Sequence, residues 1–173
     1  VYEIGDKVVY PQHGAGVVVK REIRTVLGAE REYLTIRIIA SDMNVMVPTD
    51  GADTAGIRPV IGADEIDELL QLLRGEDEAI VGNWNRRFRH NRDKLRTGDV
   101  LELVEVIRNL MNRSVDKGVS SGERQMLSRA KRILASEIQY AKDLDENEAA
   151  AYLDDLIDEI SQERETEAAR AAQ

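Results

Sequence analysis

The chain has 173 residues, no cysteine and a formal net charge of −9. It can therefore form no disulfide, thiolate metal site or cysteine nucleophile, and no apolar run approaches the ~18 residues that would cross a bilayer. Apolar residues make up 42% of the chain and aromatics only 4%, so Val, Ile, Leu and Ala must build the core of one ordinary domain or two small ones.

Residues 1–50 carry strand patterns. Val8-Val9-Tyr10 is short and apolar, and Pro11 to Gly16 is a turn cluster. Val17-Val18-Val19 resumes, Glu22 to Val26 alternates with period two, and Leu27 to Glu30 marks a hairpin. Tyr33 to Ile38 alternates again, and Val45-Met46-Val47 closes before Pro48. Four or five short strands joined this tightly predict a small antiparallel β-barrel of SH3 or Tudor type. Such barrels commonly dock other proteins. Tyr10, His13 and Arg24 are candidate binding residues, although turn chemistry accounts for His13 and an ordinary surface for Arg24. Residues 51–62, with Gly51, Gly56, Pro59 and Gly62, read as a linker.

Beyond it every pattern is helical, so the fold class is α+β in two domains, the second all-α over 63–160. Ile66, Leu69, Leu70 and Leu73 share one helical face that stops at Gly75, and residues 75–78 loop towards the next helix. Leu103, Val106, Ile107 and Leu110 follow a possible cap at Asp99, with Glu102 as its reciprocal partner. Ser120-Ser121-Gly122-Glu123 is a capping box opening a helix with Met126, Leu127, Ala130, Ile133, Leu134 and Ile138 inside. Its outer face carries Arg124, Arg129, Lys131 and Arg132. A last amphipathic segment, 147–160, turns Tyr152, Leu153, Leu156, Ile157 and Ile160 to one side. Residues 161–173 read as an acidic, disordered tail. From Lys142 to Gln173 there are eleven acids against three bases.

The segment between the first two of these helices is different. Asn83 is a candidate N-cap, and the helix it opens holds the only Trp and the only Phe of the chain, Trp84 and Phe88. Arg86, Arg87, Arg89, Arg92, Lys94 and Arg96 stand there against a single acid, Asp93. Phosphates would suit the charges, and a groove or an unstacked base would suit the indole. Alternatively, Trp84 and Phe88 at i and i+4 form a buried stripe above a solvated basic face. The residues alone leave both readings open.

Three separated motifs, in order, carry a resemblance. Gly5-Asp6-Lys7-Val8-Val9-Tyr10-Pro11-Gln12-His13-Gly14-Ala15-Gly16, Asn83-Trp84-Asn85-Arg86-Arg87-Phe88 and Val119-Ser120-Ser121-Gly122-Glu123-Arg124 resemble the CarD/CdnL family of bacterial RNA polymerase-binding transcription regulators. The match is closest to its actinobacterial CarD type and runs from Val1 to about Tyr140. The resemblance implies that residues 1–50 form a Tudor-like RNA polymerase-interacting domain that binds the β subunit, with Arg24, Ile23, Thr25 and Met46 at the contact. Met46 stands where the family often has a basic residue, which takes a charge from that contact. It implies further that Trp84 wedges into the minor groove at the upstream edge of the transcription bubble while Arg86 and Arg89 meet the backbone. Arg87, Arg124 and Lys131 join the candidate DNA-binding set.

The expected protein is thus a non-enzymatic regulator without cofactor. It acts as a monomer on promoter DNA with the sigma-containing holoenzyme, in the cytoplasm and at the nucleoid through the polymerase. It stabilises the open promoter complex with little base specificity. No Walker motif or nucleophile elbow is present, and His13 and His90 lack metal-ligand spacing. The rival is a protein–protein adaptor of the transcription machinery with Trp84 buried and no DNA contact.

Overall fold

The computed structural model describes residues 1–76, 83–116 and 118–173. Five strands, β1 (Lys7–Tyr10), β2 (Gly14–Val26), β3 (Ala29–Ile38), β4 (Met43–Pro48) and β5 (Arg58–Pro59), form one antiparallel sheet in the order β4-β3-β2-β1-β5. The sheet is open, with β4 and β5 as its edges, so the expected barrel does not close by strand pairing. Its fifth strand lies in the stretch that composition marks as linker. Two residues of β5 pair with Val8 and Val9, too few to leave a periodic signal.

Alternation along the strands buries Val8, Val18, Leu34, Ile36, Ile38 and Val47 as one apolar cluster. A bulge between Val18 and Lys20 shifts the phase of β2. Val18 is buried before it and Val19 is exposed, and the strand runs on as a long hairpin arm with β3.

Among the described residues five α-helices follow: α1 (Ala63–Leu70), α2 (Trp84–Arg96), α3 (Val100–Asp116), α4 (Ser121–Ala141) and α5 (Glu146–Ala171). A 3-10 turn, Gln71–Arg74, continues α1. Ile66, Leu70, Leu73, Val104, Ile107, Leu134, Ile138, Leu153 and Ile160 form the second core. The expected capping box is made at Ser120/Glu123, and α5 has a second at Asp145/Glu148. Asp99 caps α3 by accepting from the Leu101 amide at 2.7 Å, while its own amide donates to Thr97 at 3.2 Å and not to Glu102. The loop expected at 75–78 lies partly outside the described residues.

The expected disordered tail is where the structure differs, since α5 continues through it to Ala171. Arg164 donates to the carbonyls of Leu73 and Gly75 at 3.2 and 2.8 Å, and Arg74 pairs with Glu163 at 3.2 Å. These contacts tie the acidic turns back to the body after the apolar stripe ends. They reach the helical core rather than α2.

Helix α4 serves both domains. One face packs in the helical core and another lies on the sheet. The Ala15 amide donates to Ser136 Oγ at 2.9 Å, while the Ser136 hydroxyl donates to the Ile133 carbonyl. Arg58 of β5 donates to both carboxylate oxygens of Glu137 at 2.7 and 2.9 Å and to the Gly98 carbonyl at 2.9 Å. Glu137 is 0% exposed and also accepts from the Ile61 amide at 3.3 Å. Lys7 lies over the Tyr140 ring. The Pro11–Gly16 turn is cut to fit this contact. Gly14 has φ +95°, and a Cβ there would lie 2.7 Å from Ser136 Oγ, so glycine is required on both conformational and steric grounds.

Candidate nucleic-acid and protein interfaces

Asn83 caps α2, its side-chain oxygen accepting from the Arg86 amide at 3.2 Å. Trp84 is therefore the first helical residue, set at the end of the basic rod. Its indole is 40% exposed. One face stacks on Phe88 with centroids 5.0 Å apart and planes 21° from parallel. Its Nε1 donates to Ser120 Oγ at 2.9 Å, the oxygen that also accepts from the Glu123 amide at 3.2 Å to cap α4. The stripe reading and the exposed reading thus each hold in part. Phe88 packs inward with Val106, Leu110 and Met126, and Trp84 lies over it with an open outer surface.

The rest of α2 is seated by polar contacts. Its one buried residue is Asn91, whose Oδ1 accepts from Asn109 of α3 at 3.4 Å. Lys94 pairs with Glu105 of α3. With these groups turned inward, Arg86, Arg89, Arg92 and Arg96 are exposed. Arg87 is half-buried, its Nε enclosed without a hydrogen-bond partner, so it belongs to the seat of the helix more than to the outer row. The second basic group is divided. Arg124 is exposed near the Trp84 end of α4. Lys131 pairs with Asp154 of α5 at 2.6 Å, and Arg129 donates to the Gln12 carbonyl at 2.8 Å.

In the sheet, register decides which candidate residues share a face. Thr35 lies opposite both Lys20 and Met46, and Arg24 lies opposite Arg31. Because cross-strand partners share a face and neighbours along a strand alternate, Arg24 and Met46 are on one face of the hairpin. Ile23 and Thr25 are on the other. Ile23 is 71% exposed, and Val26, Leu27 and Met43 add further exposed apolar surface on the hairpin and β4. Arg24 is drawn to Glu22 at 2.7 Å, and Lys20 to the same carboxylate at 2.6 Å. Hydrogen bonding from Lys20, then Arg24, holds the Glu22 carboxyl below its ordinary range. Strand β4 pairs on one side only, which leaves a row of backbone donors and acceptors along its outer edge.

Two contributions leave little trace in the sequence pattern. Glu137 sits three and four residues from Leu134 and Ile133, on the apolar side of α4, and a carboxylate there is the available signal for a buried partner. Arg129 reads as one more solvated cation, although it reaches the other domain. Among the described residues no group of three or more His, Asp or Glu could hold a metal ion, and no helix is long and apolar enough to cross a membrane.

Comparison with known proteins matches residues 2–61 to the CarD-like/TRCF RID domain and residues 68–154 to the CarD C-terminal domain. The putative transcription factor YdeB of Bacillus subtilis (strain 168) is 33% identical over 153 residues, covering 88% of this chain and 99% of that protein. A solution NMR structure of the 72-residue N-terminal domain of Myxococcus xanthus CarD aligns at 32% identity with a TM-score of 0.30, over 33% of this chain and 76% of that one. With both domain matches in order and a relative spanned almost from end to end, the chain belongs to the CarD family of RNA polymerase-interacting transcription regulators.

Proposed function

We propose that the sheet domain docks on the β subunit of RNA polymerase and that α2 presents Trp84 to promoter DNA at the upstream edge of the melted bubble, prolonging the open complex. The observation that carries this reading is the placement of Trp84. A large indole is half-exposed at the tip of a helix whose outer row is cationic, and it is braced from behind by Phe88 and Ser120. A braced aromatic can insert at a distorted step without first losing side-chain freedom. Arg86 and Arg89 lie beside it for phosphates, and Arg124 adds charge from α4. Such contacts position the protein without selecting a sequence.

Docking uses the hairpin arm and the β4 edge, where exposed apolar side chains and unpaired backbone groups suit strand addition by a partner. Arg24 and Met46 face that partner together, and Ile23 and Thr25 serve the opposite face of the arm. Holding the polymerase with one domain raises the effective concentration of the other at the promoter to roughly millimolar. The wedge itself can then be weak. Base–aromatic stacking worth ~1–3 kcal/mol, available only in the melted state, shifts open against closed by about five- to 150-fold. The protein works as a monomer with the sigma-containing holoenzyme in the cytoplasm.

The adaptor reading draws on the Trp84–Ser120 hydrogen bond, which would equally suit a structural indole. Trp84→Ala separates the two. Losing the stack costs ~0.5–1.5 kcal/mol and losing the hydrogen bond a similar ~0.5–1.5 kcal/mol, so the variant should fold and retain polymerase in a pull-down. Open-complex lifetime should fall to that measured without the protein. A folded variant that still prolongs the complex would remove Trp84 from the mechanism and favour the adaptor.

A further inference from the structure

Between α2, α4 and the β1–β2 turn lies a cleft of about 370 Å³ on the side of α2 away from Arg86. Phe88, Leu95 and Met126 form its apolar floor, and Arg92, Arg96 and Arg129 stand around its rim. On α2 the lining positions recur at i, i+4 and i+8, so they follow one face for roughly 12 Å. Among the described residues Arg92 and Arg96 share the carboxylate of Asp93, at 4.0 Å and 3.8 Å. It is itself exposed and too loosely placed to satisfy two guanidinium groups. The far end is closed by Gln12, a non-glycine residue at φ +68°, with its carbonyl held by Arg129. Left-handed backbone at a non-glycine residue is costly and gathers at ligand clamps.

From this arrangement we infer a binding site for a nucleotide: a flat ring on the floor and its phosphate at the rim. The volume is in the range of small-molecule sites, which combine an apolar lining with a few convergent polar groups. Guanidinium groups match phosphate oxygens in pairs, and the thioether of Met126 with the edge of Phe88 suits an aromatic ring. Inorganic phosphate would leave the floor uncovered, and an uncharged ring would make no use of the rim guanidinium groups. The nucleotide could be free in solution or part of a single DNA strand released beside Trp84. The chemistry is the same, and only the strand source rests on the wedge reading above.

Equilibrium dialysis of the full chain against adenosine monophosphate, adenosine, inorganic phosphate and tetrathymidylate tests this. Adenosine monophosphate is expected to bind at least tenfold more tightly than adenosine or phosphate, and Arg92→Gln with Arg96→Gln should weaken it at least tenfold. Gln125→Trp, which places a ring across the mouth, should abolish binding. Tighter binding of tetrathymidylate that is lost in the same variants assigns the site to a DNA strand; its absence assigns it to the free nucleotide. A Met126 methyl shift on titration of the unmodified protein locates the ligand without any variant. The inference is overturned if neither nucleotide probe binds, if phosphate binds as well as the nucleotide, if the variants bind like the parent, or if a glutamate-rich peptide displaces the nucleotide. Trp84 does not line the cleft. Its loss can therefore eliminate the open-complex effect and leave this site intact, so the two readings fail separately.

Discussion

Glu137→Ala should pull the two domains apart. Glu137 is 0% exposed and Arg58 24% exposed at the side chain, and the carboxylate accepts from Arg58 at 2.7 and 2.9 Å and from the Ile61 amide at 3.3 Å. Removing one member of a buried pair typically costs ~3–5 kcal/mol, because the other charge stays desolvated. Here Arg58 has an edge in water, which places the expected loss near the lower limit, ~3 kcal/mol. For a chain of this size ~1 kcal/mol corresponds to about 2–4 °C, so Tm should fall by roughly 6–12 °C. The amide of Ala15, bonded across the same interface to Ser136, should exchange faster. Replacing both partners by apolar residues, Arg58→Met with Glu137→Leu, should recover most of the loss, since the desolvated charge is then gone. Melting followed by circular dichroism, with hydrogen exchange on the same three proteins, reads all of this. A Glu137→Ala protein that melts within about 2 °C of the parent, or a double variant less stable than the single, would refute the assignment of this pair as the interdomain lock.

Ser120→Ala should cost about 1 kcal/mol as a lost N-cap and move the emission of Trp84 to the red, because one oxygen serves both the cap and the indole; unchanged emission would mean that the Nε1 bond is not kept in solution. Arg89→Ala should lower the salt slope of DNA binding by about 0.9 with no change in sequence preference, as read from binding isotherms at several salt concentrations. Asp67 accepts from Lys142 and Tyr152, and hydrogen bonding from Lys142 first, then from Tyr152, holds its pKa below that of an aspartate in an unfolded chain. Its contribution to stability is present in full above that unfolded value and is lost as pH falls through the depressed folded one. The acid limb of the stability curve should therefore flatten in Asp67→Asn, and an identical limb would show that the network contributes nothing.

Periodicity made the helices and the long strands legible, because burial on one face leaves a spacing that can be counted. Ser120 and Glu123 announced α4 through capping chemistry alone. The elements that escaped are held by something other than their own apolar spacing. β5 is two residues long and exists because β1 offers it an edge. The last turns of α5 follow from a helix already nucleated upstream and from Arg164 reaching back to the carbonyls of Leu73 and Gly75. The candidate site divides in the same way. Trp84, Arg86, Arg89 and Arg124 stand out by composition and are exposed in the structure. Arg87 and Lys131 look equivalent to them in the sequence, yet one is enclosed at the seat of α2 and the other is matched to Asp154. Which partner a cation meets depends on the packing of distant segments, and local pattern carries no record of that.

The division of the sheet suits the proposed action of one small protein at two places at once. β1, β5 and the turn between β1 and β2 are occupied by α4, through Lys7, Gln12, Ala15 and Arg58. β4 and the tip of the β2–β3 arm, on the other side in strand order, lie open, where the proposed partner would dock. Helix α4 then runs from that interface to its own N-terminus, where Ser120 holds the indole of Trp84. A flexible tether would raise local concentration equally well, but every orientation of the wedge would have to be lost again on binding. With the domains locked by a buried ion pair and a helix spanning from sheet to indole, the mechanism we propose would set the orientation of Trp84 as the sheet domain docks. On that proposal weak stacking at the fork would act in the melted state alone, which is the condition for shifting an equilibrium and not merely occupying a site.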